Sequence, residues 1–197
     1  MFDTDNLVLP SVLQGITTTT ESLELTMADE MRLGSLLRTL VASRADAPVL
    51  QLGAGSGVLT ACLLDGMHPG GKLDAIEPDT GLAEVAGRFL GRDSRLAIHS
   101  AAPVDFLEDT PREYGLIAVN QAELVAPVLG QVLSKLADGG MAVFGGLVVQ
   151  EDWTADQRSA AEEVGSRLQL RSELHVTALD WASGVMIAAR RHVRGSE

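Results

Sequence analysis

The feature that most constrains the fold is the stretch Val49-Leu50-Gln51-Leu52-Gly53-Ala54-Gly55-Ser56-Gly57. A short apolar run meets glycines at three alternate positions, and a helix-like segment, Val58 to Leu64, follows. Glycine tolerates φ > 0 and leaves no Cβ in the way of an approaching group. The helix beyond presents unpaired N–H groups at its N-terminus. Strand, glycine turn and helix in that order bring backbone donors against a nucleotide-like ligand. The chain is expected to be α/β.

The rest of the chain repeats the alternation. After a short helix at Ser11 to Gly15 and an irregular stretch through Thr17 to Thr20, whose β-branches disfavour helix, an amphipathic helix is expected from Glu21 to Ser43. Thr20 or Ser22 is placed to cap it, and Gly34 inside it marks a close contact or a break. Beyond the glycine turn, strands are expected at Lys72 to Glu77, Arg95 to His99, Tyr114 to Val119 and Met141 to Val149. Helices are expected at Thr80 to Leu90, Val104 to Glu108, Ala122 to Leu136 and Thr154 to Leu168. Asp138-Gly139-Gly140 reads as a turn before the fifth strand. Two closing strands, Leu170 to Leu179 and Gly184 to Arg191, have no helix between them and are expected to form an antiparallel hairpin at the sheet edge. Successive β-α pairs imply a mostly parallel sheet with helices on both faces. One domain is expected over 1–197, with 1–47 an N-terminal helical extension and 48–197 the Rossmann-like core.

Composition narrows the partners. A net charge of -12, with only Lys72 and Lys135 as lysines, argues against nucleic acid, which needs clustered cations for its phosphates. No apolar run reaches the roughly 18 to 20 residues of a membrane span. The acidic start, Met1 to Asn6, lacks the basic region of a signal peptide. A single cysteine, Cys62, permits no internal disulfide and reads as a small buried hydrophobe. These features point to the cytoplasm.

The glycine spacing bears on the ligand. A dinucleotide turn wants G-x-G-x-x-G, whereas here Val58 holds the position of its third glycine. This demotes a nicotinamide cofactor. An acid for ribose hydroxyls is expected about 20 residues further on, at the end of the next strand. Glu77, followed by Pro78 and Asp79, stands there.

With these motifs the chain resembles the class I S-adenosylmethionine-dependent methyltransferases, and among them the small O-methyltransferases of the catechol and caffeoyl-CoA type. Val49 to Gly57 resembles the family's first motif, Gly71 to Asp79 its ribose-binding strand, and Asp138-Gly139-Gly140-Met141 its turn before the fifth strand. Thr26-Met27 and Gly34 to Leu37 resemble the helix laid over the cofactor's methionine end; Trp181 to Ala188 resembles the last hairpin. The resemblance implies a seven-stranded sheet with an antiparallel last strand, a homodimer, and S-adenosylmethionine as cofactor. It implies cofactor contacts at Met27, Gln51, Gly53, Ala54, Gly55, Ser56, Gly57, Glu77, Pro78, Ser100, Ala101 and Asn120.

The departures from the family are as informative. Gln51 stands where an acid opens the first motif, and Ala101 where an acid meets adenine. Metal-dependent members end the fourth strand with aspartate and follow the fifth with an Asp-Asp or Asp-Asn pair. Asn120 and Gly145-Gly146 occupy those places here. Mg²⁺ wants several oxygen ligands, carboxylates among them, so no metal is expected. Asp152, Asp180 and His175 are possible bases, with none singled out by spacing. The expected activity is metal-independent methylation of a small molecule, at oxygen. The alternative is a chain that kept the fold, lost the chemistry and serves as a cofactor-binding or regulatory partner.

Overall fold

The computed structural model describes residues 10–21, 28–44, 47–150 and 153–192. Seven strands form one sheet: β1 (Val49–Leu52), β2 (Leu73–Ile76), β3 (Leu96–His99), β4 (Tyr114–Val119), β5 (Leu136–Phe144), β6 (Leu174–Leu179) and β7 (Val185–Arg190). Their spatial order is β3-β2-β1-β4-β5-β7-β6. The first five pair in parallel. β7 inserts antiparallel between β5 and β6, so the closing hairpin sits at the edge, as expected.

The helices are α1 (Leu13–Glu21), α2 (Ala28–Ala42), α3 (Val58–Gly66), α4 (Thr80–Leu90), α5 (Pro103–Asp109), α6 (Ala122–Val125), α7 (Leu129–Ser134) and α8 (Ala155–Gln169). Alternate strand residues feed two cores. Val49, Leu116, Ala118 and Val143 face the layer of α1 to α4, with Leu33, Leu37 and Leu63 buried among them. Leu50, Leu52, Ile117 and Val119 face α5 to α8, with Leu107, Val125 and Leu168. β1 is fully buried on both faces, as a central parallel strand must be. Helices therefore cover both faces of the sheet.

Four expectations need correction. The threonine run is helical and lies within α1; the Thr18 hydroxyl donates to the Gln14 carbonyl one turn back (2.9 Å), a local bond that makes a helical threonine tolerable. The helix at 122 to 136 is broken into α6, a 3-10 turn (Ala126–Val128) and α7. Pro127 supplies no N–H and crowds the carbonyl one turn back. The Asp138-Gly139-Gly140 turn lies inside β5, where the pairing with β4 shifts register and Gly139 takes φ +67°. The final correction concerns the end of β5: it stops at Phe144, so Gly145-Gly146 lies beyond the strand and not in its middle. Ser22 and Met27 lie outside the described residues.

Gly34 marks a contact. A Cβ built there would lie 2.6 Å from the Cys62 sulfur of α3, and both residues are buried. Gly34→Val should therefore overpack the α2–α3 seam and cost about 1–3 kcal/mol. Adding Cys62→Ala should recover part of that loss, a coupling that denaturant melts of the four proteins would measure. Additive losses would show that the helices do not meet there.

Candidate functional site

The order of connection reverses between β1 and β4, so their carboxyl ends diverge into a crevice of the kind where open α/β sheets bind ligands. The glycine turn leaves β1 at this point. Gly53, Gly55 and Gly57 all have positive φ (79°, 55° and 100°). They divide the work. A Cβ on Gly55 would meet nothing within 4 Å, so its backbone faces open space. A Cβ on Gly57 would lie 3.2 Å from the Ala86 Cβ, so this glycine lets α4 pack against the start of α3. Over Gly53 lies the Gln121 side chain, whose Oε1 would stand 3.1 Å from an added Cβ.

Glu77 ties the turn to the rest of the sheet. Its buried carboxylate accepts the Gly55 N–H at 2.6 Å and the Asp79 N–H at 2.9 Å. Asp79 in turn caps α4 by accepting the Leu82 N–H at 3.0 Å. One acid thus orients the glycine turn and the entry to the next helix. Each of its oxygens keeps a lone pair for a further donor.

A cavity of about 370 Å³ opens over Gly53 to Ser56. Its opposite walls come from Asn120 to Glu123 at the start of α6, from Gly146 after β5, and from Trp153 and Gln157 at the start of α8. Gln157 belongs to a capping box with Thr154, which fixes its side chain. Of the expected site residues, the structure brings Gly53, Ala54, Gly55, Ser56 and Asn120 to this cavity. It places Glu77 beneath the turn, Pro78 and Ser100 on the surface, and Ala101 in a neighbouring cavity. Met27 and Asp152 lie outside the described residues. His175 and Asp180 are exposed at the far edge of the sheet and do not line the cavity. Glu123, Trp153 and Gln157 were not anticipated as a group. They come from segments far apart in sequence, and only the switch in strand order gathers them.

Gln51 is buried (1 % exposed) on the α3 side of β1. Its Oε1 accepts the Thr60 hydroxyl at 2.7 Å, while its Nε2 has no partner. A buried donor left unmade costs about 1–3 kcal/mol. Asn120, Gly145 and Gly146 do converge, with the Asn120 Oδ1 2.8 Å from a Cβ built on Gly145. The Leu33 side chain from α2 fills the rest of the space such a side chain would need. Asn120 does not cap α6; Gln121 takes that position.

The neighbouring cavity, of about 500 Å³, lies between α5 and the sheet edge. Asp74 accepts from Arg112 (2.8 Å) and Tyr114 (3.0 Å), and the His99 Nε2 stands 3.3 Å away. The His99 ring leans on Phe106 with centroids 4.7 Å apart. Burial pushes the Tyr114 phenol from 10.0 up to about 12, and the Asp74 charge adds to the rise.

No family model matches the chain. The ribosomal RNA small subunit methyltransferase A of Anaeromyxobacter sp. (strain K) is 32% identical over 129 residues. That match takes in 60% of this chain and 44% of the relative, so the chain spans less than half of that relative's length. Solved structures match far more completely. The O-methyltransferase from Bacillus cereus in complex with SAH superposes with TM-score 0.80 at 15% identity, covering 95% of this chain and 94% of the other. TomG, the O-methyltransferase from Streptomyces achromogenes involved in tomaymycin synthesis, in complex with SAM, gives 0.79 at 19%, covering 94% and 92%. A putative caffeoyl-CoA O-methyltransferase from Staphylococcus aureus gives 0.77 at 13%, covering 92% of both chains.

Tyr114 is the chain's one tyrosine, so its titration can be read directly. Because its folded pKa is raised, its stabilising contribution is complete below pH 10 and is lost as pH climbs towards 12. An ultraviolet titration of native protein should show no phenolate at pH 10 and a rise near 12. A midpoint near 10 with the fold intact would refute this environment.

Proposed function

We propose that this chain, which has the fold of the class I S-adenosylmethionine-dependent methyltransferases, is itself such an enzyme and methylates a small molecule at oxygen without a metal. The observation that carries the reading is the open space above Gly55, held beside the buried Glu77 carboxylate at the sheet's switch point. In this reading the backbone of Gly53 to Gly57 receives the cofactor. Glu77 accepts from the ribose hydroxyls with its remaining lone pairs, and Pro78, Ser100 and Ala101 border the adenine. Gln51, which stands in the place of the family's acid with its Oε1 held by Thr60, lies behind the turn at the end of the proposed cofactor site. Met27 and Asn120 complete the proposed set.

When bound, the cofactor supplies an electrophilic methyl group on a sulfonium. The chain's own part is placement: Asn120, Gln121 and Gln157 orient the acceptor, and the walls keep water from competing. A metal does not suit this site. One amide and two glycines lack the carboxylates Mg²⁺ prefers, and the Leu33 side chain fills the space that a ligand at position 145 would need. The net charge of -12 favours a small acceptor over RNA. The same reading has the chain acting as a cytoplasmic homodimer. The replacement of the family's acids by Gln51, Ala101, Asn120 and Gly145-Gly146 favours a second reading, a cofactor-binding partner protein without turnover.

Calorimetry should find S-adenosylmethionine and S-adenosylhomocysteine binding to the chain; silence from both at millimolar concentration would rule the enzyme out. Gly55→Val, at φ +55° and facing open space, should weaken that binding at least about a hundredfold, some 2.7 kcal/mol, with the circular dichroism spectrum unchanged. Methyl transfer to any acceptor should be indifferent to chelators. Cofactor binding with no transfer across a broad acceptor panel would favour the partner protein.

A further inference from the structure

The cavity's charge suggests what kind of acceptor it takes. Among the described residues that line it, Glu123 alone carries an ionisable side chain. Its carboxylate is exposed at the cavity and has no hydrogen-bond or ion-pair partner among the described residues. The polar remainder is carboxamide, from Asn120, Gln121 and Gln157, and the one aromatic is the Trp153 indole. No lysine or arginine lines the cavity among the described residues. Arg158, near Trp153 in sequence, instead donates its Nε to the Trp153 carbonyl at 3.2 Å.

A phosphate, carboxylate or nucleotide-linked acceptor would find no counter-charge here and would meet a carboxylate in its path. A cation would find both a partner and an aromatic face, since an indole attracts positive charge over its ring. The negative charge of the whole chain raises the local concentration of cations in a cleft. We infer that this cavity selects a positively charged aromatic acceptor, with Glu123 as counter-ion and Trp153 as the surface against which it lies. The inference rests on the methyltransferase reading for the word acceptor, although the charge selection itself needs no turnover. An acid in the first turn of a helix is also favoured by the exposed N–H groups there. That role alone would leave charge selection untouched, so the two can be separated.

The test is an equilibrium titration. Trp181→Phe, in the exposed loop between β6 and β7, leaves Trp153 as the single tryptophan, so its fluorescence reports the cavity. Tyramine and 3-(4-hydroxyphenyl)propionate share a hydroxylated ring and differ in the sign of their charge. With and without S-adenosylhomocysteine, tyramine should bind at least about tenfold more tightly than the propionate. Glu123→Gln should shrink that ratio to within about twofold, and Glu123→Asp should restore part of it. Equal binding of the two probes, absence of binding by either, or an amine preference that survives Glu123→Gln would overturn the inference. So would a Glu123→Gln variant that weakens S-adenosylmethionine relative to S-adenosylhomocysteine while sparing tyramine, because the carboxylate would then serve the sulfonium. Tyramine selectivity in a protein that ignores S-adenosylhomocysteine would uphold the charge selection and reject the methyltransferase reading.

Discussion

The site depends on one buried carboxylate. Glu77 ends β2, yet its two bonds reach the glycine turn after β1 and the cap of α4. Charge-assisted bonds from backbone N–H groups are short and strong, and the 2.6 Å contact to Gly55 belongs to that class. Glycine alone would leave this turn free to wander, because the freedom that permits φ > 0 also carries the largest entropy loss on folding. The carboxylate supplies the restraint that the glycines lack. Room for a ligand and rigidity around it therefore come from different residues.

The departures at Gln51, Asn120 and Gly145 do not disturb the fold that surrounds them. Each has a local accommodation. Thr60 satisfies half of the Gln51 amide, and Leu33 of α2 occupies the space above Gly145. The Leu33 contact couples the N-terminal helical layer to the end of β5. A side chain placed at position 145 would have to displace the buried Leu33, so the packing as well as the backbone keeps that position small.

Much of this was legible in the sequence, for definable reasons. β1, the glycine turn and Glu77 lie within one β-α-β unit, where short-range pattern and backbone sterics decide the outcome. The alternation of strands and helices fixed the sheet, and the absence of a helix between the last two strands fixed their hairpin. Errors arose where a local preference met a wider constraint. The Thr17 to Thr20 run adopts helix because α1 buries Leu13 and Ile16 against α3 and α4, which outweighs β-branched reluctance. Gly139 looked like a turn and is a register shift within β5. Glu123 and Trp153 carry no motif at all. Their meeting is a product of topology, and no single segment announces it.

The seam between Gly34 and Cys62 has a further meaning for motion. The chain's one thiol is fully buried under α2, the helix that also packs Leu33 against Gly145. A reagent can reach that sulfur only when α2 lifts from α3 or the molecule opens more widely. Local opening of this kind has its own free energy, separate from that of global unfolding. The thiol thus acts as a clock for the N-terminal layer, and the rate at which it is modified counts how often that layer comes away from the molecule.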